Sequence, residues 1–128
     1  MTRRIVIETA AIGPLTAEID EHRNVKTAEA VWKALPIDAI ASRWGEEIYF
    51  PTQVEAPIED GQETVELGAL AYWPPGKAIC MFFGRTPVSI DERPRAASRV
   101  NVFGRITGDV SVLKKVRDGD RIVIQKLK

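Results

Sequence analysis

The chain has 128 residues with 18 Lys and Arg against 18 Asp and Glu, 45% hydrophobic residues and 28% charged residues. That length buries about two-thirds of the surface of the unfolded chain, so residues 1–128 are expected to form one domain without staples, and the composition excludes disorder. No apolar run approaches a bilayer span, and Arg3 and Arg4 lead into a strand-like Ile5-Val6-Ile7-Glu8 rather than a signal peptide, so a cytoplasmic protein with no membrane partner is expected.

Residues 3–10 and 14–20 read as two antiparallel strands around an Ile12-Gly13-Pro14 turn. From Lys26, with Thr27 as cap, the stripe Ala28, Val31, Trp32 and Leu35 predicts a helix that Pro36 ends, and residues 36–44 are expected to add one or two helical turns. Gly45 starts a strand over Glu46–Phe50, stopped by Pro51. Residues 56–63, with Pro, Gly and three acids, read as an exposed loop. Strands follow over residues 64–73 and 77–83, separated by the turn Pro74-Pro75-Gly76. Residues 84–98 form the longest expected loop. Residues 100–107 then give a strand, 109–116 a short helix capped by Asp109, and 120–127 a final strand after the Asp118-Gly119 turn.

One cysteine, Cys80, and one histidine, His22, allow no internal disulfide and no usual zinc site. An all-carboxylate site has no EF-hand spacing behind it, so no metal and no cofactor are expected. Cys80 lies in an apolar strand and reads as an inert core thiol; His22 reads as a surface residue. Gly76-Lys77 lacks the rest of a phosphate loop, and no nucleophile elbow occurs. Residues 1–69 carry six basic against thirteen acidic side chains, and residues 70–128 twelve against five. In a single domain these halves complement each other; the sharper reading is a basic face of Arg85, Arg93, Arg95 and Arg99 for an anion. The basic C-terminal stretch alternates as a strand and carries no stacking aromatic, which argues against nucleic acid.

Many short strands with one clear helix indicate a mainly β protein. Four segments in order resemble cyclophilins, the peptidyl-prolyl isomerases: the helix Lys26 to Leu35, Leu67 to Ala71, the pair Phe82-Phe83, and Val102-Phe103-Gly104 with the helix after it. WGEEIYF, YWPPGKA and FFGRTP are closer to a small prokaryotic group of shorter cyclophilin-like proteins without an established function. The resemblance implies a closed cyclophilin-like β-barrel with one N-terminal helix and a short late helix. It also implies a cleft lined by Glu47 or Tyr49, Trp73, Met81, Phe83, Arg95 and Arg99.

In those isomerases an arginine donates to the prolyl amide and weakens its resonance. The family's Phe-His-Arg tripeptide falls near Gly45 to Ile48, where this chain has Gly-Glu-Glu-Ile, and an ionised acid cannot donate that bond. The implied function is a non-catalytic barrel whose cleft binds a small molecule or an extended peptide. The alternative is a divergent isomerase using Arg43, Arg95 or Arg99, and a third reading is an enzyme of another class with a cleft glutamate as base. Neighbours on a strand face opposite ways, so only one of Glu46 and Glu47 faces the cleft, where burial would raise its pKa.

Overall fold

The structure, a computed structural model, describes residues 3–127. Its strands are β1 (Arg3–Thr9), β2 (Gly13–Ile19), β3 (Ile37–Ile40), β4 (Ser42–Arg43), β5 (Glu47–Pro51), β6 (Gln62–Thr64), β7 (Ala69–Trp73), β8 (Ala78–Phe82), β9 (Arg95–Ile106) and β10 (Arg121–Lys126). One α-helix, α1 (Val25–Ala34), follows β2, and 3-10 turns cover Pro74–Gly76 and Val110–Lys115. Asp109 caps the later turn, accepting from the Ser111 backbone N–H at 3.0 Å and from its hydroxyl at 2.7 Å.

The strands form one sheet in the order β3-β10-β1-β2-β9-β7-β8-β5-β4, with β6 paired to β9. This corrects the expectation of a closed barrel, because among the described residues no pairing joins the two ends of that order. The physical reason lies in the chain itself. β3 and β4 are consecutive and separated by Ala41 alone, which leaves no room for the reversal an antiparallel pair needs. Ala41 commits its own backbone to the neighbouring turn, donating to Asp120 O at 2.8 Å and accepting from Gly119 N at 2.9 Å. The helical turns expected over residues 36–44 are likewise β3 and β4. There Ile37 pairs with Ile124 and Ile40 with Arg121, and β-branched residues on a sheet margin favour the strand.

Alternation along the strands divides the buried side chains between two faces. Ile48, Phe50, Leu70, Tyr72, Ile79, Met81 and Phe103 face the main core with Ile5, Ile7, Val31 and Ile122. On the other face Val65, Ala69, Ala71, Cys80, Phe82, Ala96, Val100 and Val102 make a smaller apolar cluster, against which Tyr49 and Trp73 pack. β9 runs through the middle of the sheet and lies close against its neighbour β2 at Gly104, where a Cβ would collide with the Glu18 carbonyl oxygen.

The loop expected over residues 56–63 is exposed or half-buried throughout, though its last two residues, Gln62 and Glu63, belong to β6. Glu59 reaches back to the start of α1, accepting from the Thr27 N–H at 2.8 Å, the Thr27 hydroxyl at 2.7 Å and the Lys26 N–H at 3.3 Å. Thr27 is therefore not the cap but is itself capped, inside the first turn, by a carboxylate from another part of the chain. Burial raises the Glu59 pKa, but the bonds from Thr27 and Lys26 outweigh it and hold the group below the usual range. Buried Asn101 secures this loop, accepting from Glu59 N at 3.0 Å and donating to Pro57 O at 2.8 Å and to Thr27 Oγ1 at 2.9 Å.

Candidate functional site

Trp44 and Glu47 flank a two-residue turn, Gly45-Glu46, closed by reciprocal bonds: Trp44 N to Glu47 O at 2.9 Å and Glu47 N to Trp44 O at 3.2 Å. Gly45 adopts φ 61° there, with Arg85 O and Pro87 where a Cβ would stand. Directly opposite residues of an antiparallel pair point to the same side, so the turn sets the Trp44 indole beside the Glu47 carboxyl. The β5–β8 register places Glu47 opposite Phe82 and Tyr49 opposite Cys80, and β7 adds Trp73 opposite Ala78. These side chains share the outer face.

The result is a cavity of about 290 Å³ lined by Trp44, Glu47, Tyr49, Trp73, Cys80, Ala96, Ala97 and Val100. Three aromatic rings form walls over small apolar residues. The Trp73 indole is fixed by a 2.7 Å bond from Nε1 to Ser98 Oγ. Glu47 is only 5% exposed, and its Oε1 has no hydrogen-bond partner. Desolvation pushes its pKa up from 4.5 to about 7, against a hydrogen bond from the Cys80 thiol that pulls it down. Burial, and then the Glu47 charge, push the Cys80 thiol well up in turn. Among the described residues no Lys or Arg lines this cavity.

Of the residues expected in the cleft, Glu47, Tyr49 and Trp73 meet here, and the others do not. Met81 is fully buried in the main core and Phe83 beside it, because odd positions of β8 face inward once Phe82 lies opposite Glu47. Phe83 instead stacks under the Arg43 guanidinium, 4.8 Å from the ring centroid. Arg43 also donates to the carbonyls of Gly45, Lys114 and Val116, so it braces the chain away from the cavity. Arg95 pairs with Glu63 at 3.7 Å, and Arg99 lines a separate shallow groove with Ile58, Pro74 and Ser98. Of the other loop arginines, Arg85 pairs with Glu92 and Arg93 with Asp91. Glu46 faces away from Glu47 and lies 4.0 Å from Lys114.

Sequence reasoning missed Trp44, Cys80, Ala96, Ala97 and Val100 as lining residues. Trp44 was within reach: reading Gly45-Glu46 as a two-residue hairpin turn puts it opposite Glu47. The β9 residues carry no such signal, since only their pairing across the sheet brings them in.

A larger depression of about 400 Å³ lies over β2 and β9, lined by Glu18, Asp20, Glu21, His22, Glu66 and Arg105 among others. Its charges are solvated or paired, as Arg105 is with Glu18 at 3.5 Å, and no buried polar atom there lacks a partner. The smaller cavity is therefore the better candidate. Among the described residues no group of three or more His, Cys, Asp or Glu is placed to hold a metal, and no helix is long and apolar enough to cross a membrane.

A family model described as cyclophilin-like matches residues 3–125. The solution structure of the hypothetical protein AF2241 from Archaeoglobus fulgidus is similar at 44% identity, with a TM-score of 0.81, covering 98% of this chain and 95% of that one. Nothing among curated proteins matches the chain.

Proposed function

The chain belongs to the cyclophilin-like family, and from that premise we infer that it is a binding protein rather than a prolyl isomerase, with the cavity between β5, β7, β8 and β9 as its ligand site. One observation carries this reading. Glu47, in the segment whose sequence resembles the isomerases' Phe-His-Arg region, is buried in an aromatic-walled cavity with an unmatched acceptor oxygen. Rotation about a prolyl bond is aided by a donor aimed at the amide, and none of the lining residues is a cation. Binding is what the same features support: concave, mostly apolar walls with one convergent polar group. A volume of about 290 Å³ suits a small molecule or a single side chain of an extended peptide.

The test is a fragment titration followed by two-dimensional NMR. Fragments that bind should move the Trp44 and Trp73 indole signals and the Ala97 amide, and Ala97→Phe, which places a ring at the exposed part of the lining, should abolish the shifts. Shifts confined to the depression around Glu18 and Arg105, or none at all, would overturn the assignment. Isomerisation of a proline-containing peptide should run at the uncatalysed rate. Acceleration that disappears in Arg95→Ala or Arg99→Ala would establish the divergent isomerase instead.

A further inference from the structure

A carboxyl with an unpartnered oxygen, among three aromatic walls and with no Lys or Arg among the described residues that line its cavity, is short of both a donor and a positive charge. We propose that the cavity takes a protonated amine, whose N–H bonds the free Glu47 oxygen while its charge lies against the rings of Trp44, Tyr49 and Trp73. This rests on the cavity being the ligand site and goes further by naming the ligand's chemical class. A neutral ligand leaves the carboxyl to take up a proton, and an anion is repelled by it. An alkylammonium supplies a charge-assisted hydrogen bond and meets the negative faces of the aromatic rings. The small residues Ala96, Ala97 and Val100 leave room for an apolar body, and the volume of about 290 Å³ sits near the lower end of the ~300–1,000 Å³ usual for such sites.

Linkage gives the site a second signature. The other titratable groups lining the cavity are the Tyr49 phenol and the Cys80 thiol, and the thiol is held neutral by burial. Glu47 is thus the group that changes charge near neutrality. An ammonium binds its ionised form and expels the proton. Affinity should therefore be nearly full at about pH 8 and fall by about tenfold from there to pH 6, as the ionised fraction falls.

Cyclohexylamine, protonated throughout that range, and cyclohexanol, its neutral counterpart of similar shape, make the test, read by the same indole and Ala97 signals. At pH 8 cyclohexylammonium should bind about tenfold more tightly than the alcohol. Glu47→Gln should erase that preference, and acidification to pH 6 should weaken the amine but not the alcohol. If the alcohol binds at the same residues as tightly as the amine, or the preference survives in Glu47→Gln, the amine proposal fails and the ligand site stands. If neither probe moves these signals, the ligand site itself fails and takes the proposal with it. Should Glu47→Gln not fold, the pH comparison on the native protein decides alone.

Discussion

Glu47 should weaken the fold as the pH rises. Its folded pKa of about 7 lies above the ordinary 4.5, so between these values the native state holds a proton that the unfolded chain has released. The unfolded state then binds fewer protons, and stability falls with rising pH. The burial penalty is absent below about pH 4.5 and complete above about pH 7. The difference of the two pKa values corresponds to about 3 kcal/mol, at roughly 1.4 kcal/mol per pH unit. Because the side chain is 5% exposed, solvent screening removes little of this. Urea unfolding of the native chain and of Glu47→Gln, followed by tryptophan fluorescence from pH 5 to pH 8, isolates the effect. Carboxyls held low, such as Asp91 at about 2 beside Arg93 and Asp38 beside Arg121, are common to both proteins and cancel in the difference. The variant should gain on the native chain by about 2.5 kcal/mol between pH 5 and pH 8. A difference that stays flat within about 0.5 kcal/mol, with both proteins folded, would refute the assignment of a buried titrating carboxyl.

Glu59→Ala removes the bonds to Lys26 and Thr27 at the start of α1 and should cost about 1–2 kcal/mol at pH 7. Because the Glu59 pKa is depressed, that cost should shrink as the pH falls below 4.5; a variant as stable as the parent in urea at pH 7 would discount this distant cap. Gly104→Ala drives a methyl into the Glu18 carbonyl and should lower stability by about 2–3 kcal/mol, seen as a clear drop in Tm; an unchanged Tm would show that β2 gives way there at little cost. Cys80, buried with its thiol pKa pushed well up, should react slowly with a disulfide reagent at pH 7.5 and rapidly in denaturant. Rapid labelling of the native protein would mean that the cavity floor opens to solvent.

Local signals settled much of this molecule in advance. Period-two runs gave most of the strands, the Ala28, Val31, Trp32, Leu35 spacing gave α1, and Asp109 gave the cap of the late turn. Ordered short motifs gave the family, whereas the strand expected from Glu46 begins at Glu47, so the turn and not strand alternation separates the two acids. Pairing between distant segments decided the rest. Alternation states which residues of one strand share a face but not which face of the next strand they meet, so only the Glu47–Phe82 register turns Cys80 toward the cavity and Met81 toward the core. The polar ties from Glu59 and Asn101 to α1 span 32 and 74 residues to Thr27, beyond the range of any local pattern. The open margins of the sheet likewise depend on the path of the backbone through Ala41. Propensity acts over a few neighbouring residues, whereas register, burial and the proton affinity of Glu47 are set by what the folded chain brings against them.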